Sequence, residues 1–197
     1  MCTCLFLGDS ITDADHLFTP SNLGTGYVSL LAQQLPSWTL INKGQDGFTS
    51  EQVLRMLLRD GIQYSCDFIS LLIGVNDIPV EVFTNRPRIP DEFAYYYEKI
   101  LEFLTQTTNS QLILLEPFLF DSPAQYKGWH PYIEKESHII QELAKKYHAL
   151  FVPTNQSLRA AADTKGVDSI TSDGIHLTHA GNQILAKLWL EALSCVL

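Results

Sequence analysis

Five short runs of apolar, β-forming residues punctuate the chain, at positions 4–7, 39–42, 67–73, 111–115 and 149–152. Runs this short and this continuously apolar are the pattern of strands buried on both faces. Between them the apolar positions recur at intervals of three and four. Segments 27–35, 53–58, 132–147 and 178–193 carry that helical spacing, and Thr49 with Gln52 forms a capping box ahead of the second. Pro90-Asp91-Glu92 opens a further helix, in which Phe93, Tyr96, Tyr97, Ile100, Leu101 and Leu104 share one stripe and read as core rather than as ligand contacts. Strand and helix in alternation predict an α/β fold, three layers (α/β/α) around a five-stranded parallel sheet.

No repeat, low-complexity tract or linker divides the 197 residues, so residues 1–197 read as a single domain with a substantial core. The loosest stretches are 78–89 and 120–131, rich in proline, aromatics and polar residues. Both follow a strand at the end where open α/β sheets bind ligands, which makes them the expected substrate-pocket walls. Phe83, Phe118, Trp129 and His130 are candidates to line an acyl or sugar site, although aromatic residues in loops more often simply pack.

Composition narrows the function classes. With 46% hydrophobic and 18% charged residues the chain is an ordinary globular protein. A net charge of −9, 13 Lys+Arg and no basic run argue against nucleic acid and against stable association with an anionic membrane. Cys2, Cys4, Cys66 and Cys195 have neither CxxC spacing nor His neighbours at metal-ligand spacing and read as reduced packing thiols. The first candidate functional residue follows only nine others, and no apolar run reaches membrane-spanning length, so the expected location is cytoplasmic.

The candidate chemistry sits at the ends of the predicted strands. Gly8-Asp9-Ser10 follows the first apolar run, where a serine would expose its hydroxyl at the strand-to-turn corner. Such a tripeptide also serves as a plain helix cap. Asp173-Gly174-Ile175-His176 supplies an acid and an imidazole close enough to meet, just before the last helix. A hydroxyl becomes a useful nucleophile when an imidazole takes its proton and an acid holds that imidazole in the right tautomer. Gly47 in the segment after the second run and Asn76 in Gly74-Val75-Asn76-Asp77 after the third are candidate donors to an oxyanion. Each segment alone is ordinary loop chemistry; Ser, Gly and Asn at three successive strand ends are harder to dismiss.

On these residues the chain resembles the SGNH hydrolases, also called the GDSL esterase/lipase family, over almost its whole length. The resemblance implies the flavodoxin-like fold of that family. It also implies a serine esterase in which Ser10 attacks the acyl carbon, His176 is general base and then acid, and Asp173 orients it. The Ser10 and Gly47 backbone N–H groups and the Asn76 amide would form the oxyanion hole. Leu23-Gly24-Thr25-Gly26-Tyr27-Val28, Asn42-Lys43-Gly44 and the stretch 173–190 look most similar to bacterial intracellular carbohydrate acetylesterases acting on xylo-oligosaccharides. Ile78-Pro79, Gln45-Asp46 and Leu177 depart from that branch, and none of them belongs to the triad or oxyanion set. The resemblance implies no metal or organic cofactor; the partner it implies is a small ester, an acetylated sugar, and it makes a homo-oligomer plausible.

Within the same machinery a lysophospholipase, thioesterase or arylesterase stays open, because pocket shape sets specificity. A carbohydrate-binding protein that has lost turnover is the alternative outside the enzymes, and the complete set Ser10, Gly47, Asn76, Asp173 and His176 argues against it. A nucleotide binder would need a phosphate loop that the chain lacks.

Overall fold

The computed structural model describes residues 2–83 and 92–194. Its strands are β1 (Thr3–Gly8), β2 (Thr39–Gly44), β3 (Phe68–Leu72), β4 (Gln111–Leu115) and β5 (Leu150–Val152). All pair in parallel in the order β2-β1-β3-β4-β5. Each predicted strand is present, with its bounds moved by no more than two residues at either end.

The helices are α1 (Ser10–Asp13), α2 (Tyr27–Gln34), α3 (Ser50–Asp60), α4 (Asp77–Phe83), α5 (Glu92–Thr107), α6 (His130–Lys146), α7 (Thr154–Lys165) and α8 (His179–Leu193). The Thr49–Gln52 capping box ahead of α3 forms as expected. Pro90, Asp91 and Cys195, and the part of stretch 78–89 beyond Phe83, lie outside the described residues. Two helices correct the expectations. α7 was not foreseen at all, and α4 occupies the start of a stretch expected to be irregular. Pro79 does not break α4 because it stands in the first turn, where its missing N–H deprives the helix of nothing.

Strand side chains alternate between two apolar layers, as the period of two requires. Cys4, Phe6, Leu72, Ile113 and Val152 face α2, α7 and α8, whereas Leu5, Leu7, Ile69, Leu71 and Leu114 face α3, α5 and α6. Trp189 of α8 is fully buried between Phe6 and Trp38, and its indole N–H donates to Ser70 Oγ at 3.1 Å. A ring of that size with its polar atom satisfied locks α8 onto the sheet.

Strand order matters for the site. The chain leaves β1 for the β2 edge and then returns past β1 to β3, so the connections diverge at the carboxyl end of β1. An open parallel sheet has its crevice at such a point. Gly8, Gly44 and Leu72 end the three strands that surround it.

Candidate active site

Ser10 begins α1 immediately beyond β1. Asp9 caps that turn, its carboxylate accepting from the Ile11 N–H at 3.0 Å. Burial pushes the Asp9 carboxyl up to about 7, opposed by the Ile11 bond. Gly8 cannot carry a side chain here. A Cβ would lie 2.4 Å from both the Leu72 carbonyl and Thr12 Oγ1, so the approach of α1 to β3 requires glycine.

His176 and Asp173 come from a tight loop closed by the Thr171–Leu177 bridge and by the Ser172 N–H on the His176 carbonyl at 2.9 Å. Gly174 adopts φ +94 and packs so tightly that a Cβ would lie 1.8 Å from the Ser122 carbonyl. The Phe120 N–H donates to its carbonyl at 3.0 Å, clamping the loop against the segment after β4. Asp173 Oδ1 accepts from the Ile175 N–H at 3.0 Å and the His176 N–H at 2.8 Å, which leaves Oδ2 to face the ring.

Three expected residues therefore converge. His176 Nδ1 lies 2.6 Å from Asp173 Oδ2, and His176 Nε2 lies 2.9 Å from Ser10 Oγ. Partial burial works to raise the Asp173 carboxyl, but the hydrogen bonds from the His176 ring and from the two backbone N–H groups outweigh it and hold it below its usual range. The Asp–His pairing fixes the ring with Nε2 turned to the hydroxyl.

The two candidate donors at the other strand ends are joined to each other. Gly47 sits at φ +71 in the turn after β2, and Asn76 Nδ2 donates to the carbonyl of the next residue, Phe48, at 3.0 Å. One N–H of that amide remains for another acceptor. Asp77 secures the same loop by accepting from the Ser50 N–H and hydroxyl at the start of α3.

Two residues brace these loops, and sequence reasoning missed the first. Asn42 donates to the carbonyls of Thr12, Asp13 and Leu23 and accepts from the Gly44 N–H, tying the nucleophile turn to β2. Asp13 bonds His16 Nδ1 at 2.6 Å and the Asp46 N–H at 3.1 Å, tying the same turn to the Gly47 loop. Asn42 stands in a quoted motif, but only its tertiary partners disclose its task.

Of the expected pocket walls, Trp129 rests against Tyr126 and Phe83, bringing the two stretches into contact. His130 Nε2 bonds Asp121 at 2.5 Å, and Arg159 of α7 lies 2.8 Å from its Nδ1. Phe118 is a correction: it is fully buried in the core, since it follows β4 inward rather than outward. Among the described residues no cluster of three or more His, Cys, Asp or Glu is arranged to hold a metal ion, and no helix is long and apolar enough to cross a membrane.

With this geometry in view the comparisons with known proteins become decisive. The model of the GDSL-like lipase/acylhydrolase family matches residues 6–184. The chain belongs to that family. It is a carboxylic ester hydrolase. It is 27% identical over 205 residues to an acetylxylan esterase of Geobacillus stearothermophilus, covering 96% of this chain and 92% of that protein. Among solved structures, a Parabacteroides merdae protein assigned as a GDSL-like lipase superposes with TM-score 0.89 at 25% identity, covering 98% of this chain and 95% of the other. Axe2, an acetylxylan esterase from Geobacillus stearothermophilus, gives TM-score 0.82 at 23% identity, over 97% and 93% of the two chains, and so shares the fold.

One buried group behind the Asn76 loop yields a stability prediction. Glu136 of α6 is buried with both carboxyl oxygens lacking a hydrogen-bond partner among the described residues, and a Cβ on Gly74 would lie 2.6 Å from its Oε2. Burial, reinforced by the charges of Asp77 and Glu81 and opposed by Lys135, pushes the Glu136 carboxyl well above its ordinary value. The folded state thus holds this proton more tightly than the unfolded chain. The stability it contributes is complete below the unfolded value of about 4.3 and is lost as pH rises through the folded one. Glu136→Gln, neutral at every pH, is expected to melt progressively higher than the parent as pH is raised from 4.5 to 8. A gap in melting temperature that does not change between those pH values would exclude this account.

Proposed function

We propose that the GDSL-family hydrolase removes short acyl groups, acetyl in particular, from a small soluble ester such as an acetylated sugar, through an acyl-enzyme on Ser10. The 2.9 Å contact between Ser10 Oγ and His176 Nε2, with Asp173 behind the ring, carries this reading. His176 takes the hydroxyl proton as Ser10 attacks the acyl carbon. The same imidazole then delivers that proton to the departing alkoxide. A water molecule, deprotonated by His176, releases the carboxylate and regenerates the serine. The Ser10 and Gly47 N–H groups and the second Asn76 N–H hold the oxyanion of each tetrahedral intermediate.

The acetyl preference and the sugar draw support from the acetylxylan esterase relative. Turnover of p-nitrophenyl acetate, compared with longer acyl chains and with acetylated xylosides, tests both. Equal or faster hydrolysis of long chains would replace this reading with a lysophospholipase, thioesterase or arylesterase. Asn76→Ala is expected to lower kcat by roughly 10²- to 10³-fold, the effect of losing one oxyanion donor. A change confined to KM would reassign Asn76 to substrate binding.

A further inference from the structure

Beside Ser10 and His176 opens a cleft of about 470 Å³, whose remaining lining is Asp13, Ala14, Asp15, Leu17, Phe18 and Asp46. Its wall combines exposed apolar side chains with carboxylates. Leu17 is 71% exposed and Phe18 87% exposed, on the single helical turn His16–Phe18. Large apolar side chains held in solvent next to a reactive centre signal a contact surface. Asp13, Asp15 and Asp46 line the same cleft, with no Lys or Arg among the described residues that line it.

The wall is built rigidly. Ala14 and Asp15 adopt left-handed conformations at φ 42 and φ 60, and the Ala14 carbonyl accepts from the Thr25 N–H at 2.9 Å. His16 is buried and bonded to Asp13, so the turn that carries Leu17 and Phe18 is pinned from beneath. Asp13 is thereby committed to bracing. The Asp15 and Asp46 carboxylates are exposed and, among the described residues, engaged by no other side chain. A preorganised surface of this kind does not have to be ordered when a ligand arrives.

We propose that this cleft is the subsite for the leaving-group half of the ester, and that it takes a neutral polyhydroxylated alcohol while disfavouring an anionic one. The inference rests on the triad assignment given under Proposed function. The side follows from proton delivery: the imidazole must reach the departing oxygen, and His176 lines this cleft. An acetyl group fills little of such a volume, and a long acyl chain would lie against carboxylates at a desolvation cost. A saccharide suits both parts of the wall. Its C–H face covers the Phe18 ring and Leu17, and its hydroxyls donate to Asp15 and Asp46. Carboxylate, sulfate or phosphate on the alcohol would meet like charge without a compensating cation. A quaternary ammonium alcohol is the competing occupant for a ring beside acids. The single, open Phe18 ring provides no enclosing cage for it.

The test uses the full-length enzyme and four acetate esters: ethyl acetate, a neutral acetylated xyloside, an acetylated glucuronoside and acetylcholine. The wild type is expected to favour the xyloside over the glucuronoside in kcat/KM by about tenfold at low salt, and by less at high salt. Asp15→Asn combined with Asp46→Asn should narrow that gap, mainly by improving the glucuronoside. Asparagine tolerates the left-handed backbone at position 15, so this variant keeps the turn. Phe18→Ala should lower the ratio of xyloside to ethyl acetate kcat/KM by about tenfold. An unchanged gap in the double variant, a Phe18→Ala loss equal for xyloside and ethyl acetate, or a wild-type preference for acetylcholine would each overturn the subsite. Hydrolysis of none of the four acetate esters would instead overturn the acetylesterase reading beneath it.

Discussion

Ser10→Ala is expected to lower ester hydrolysis by about a million-fold, the scale seen when a serine nucleophile is lost from an intact triad. The protein should remain folded. Ser10 is partly exposed, its hydroxyl contacts His176, and the cap of the turn belongs to Asp9, so removing one oxygen leaves β1, α1 and the packing of α8 in place. Two measurements separate chemistry from folding. A fluorophosphonate should label the parent and not the variant, because covalent capture needs an activated hydroxyl. Thermal melting of the two proteins should agree within a few degrees. Residual hydrolysis at a tenth of the parent rate, in a variant that melts normally, would remove Ser10 from the nucleophile's role.

Asp173→Asn should cost about ten-thousand-fold in kcat with little change in KM, and the hydrogen-bond pattern explains why so conservative a change is so damaging. Asp173 Oδ1 already accepts from two backbone N–H groups. The asparagine carbonyl must occupy that position, since an NH₂ there would confront two donors. Its NH₂ then faces His176 Nδ1 and makes that nitrogen the acceptor. The ring proton moves to Nε2, where it points at Ser10 and leaves no lone pair to take the hydroxyl proton. Asp173→Ala removes the orienting group without imposing the wrong tautomer, and comparison of the two variants isolates the tautomer effect. If the asparagine variant retains a tenth or more of parent kcat, the Asp173 pairing is ornamental to turnover. Acidification should depress the parent's activity as well, because a protonated imidazole cannot serve as the base.

What the chain discloses before any coordinates follows from physical scale. β3 and β4 are buried over nearly their whole lengths, so their sequences are continuous apolar runs that need no tertiary knowledge. α7 escapes because its buried face consists of Thr154, Leu158 and Ala162, too small and too polar a stripe to stand out from a loop. α4 escapes because Pro79, Val80 and Val82 lower helix propensity and hide a helix held by its neighbours. Ser10, Asp173 and His176 were legible because functional polar groups sit at strand ends and in short spacings. Asn42 was not, since its task is defined by the distant carbonyls of Thr12, Asp13 and Leu23 that it touches. Phe118 misled for the opposite reason: in sequence it adjoins a loop, yet its side chain turns into the core.

The Ser10 and His176 side chains that meet at 2.9 Å are 166 positions apart in sequence. During synthesis the hydroxyl therefore emerges long before its partner ring, which lies just ahead of the helix that Trp189 seats on the sheet. A growing chain of this design is inert until the segment that carries the imidazole docks. Appearance of ester cleavage on a ribosome-released or refolding chain is thus a clock for the final assembly step, and it should lag behind the formation of sheet and helix recorded by circular dichroism.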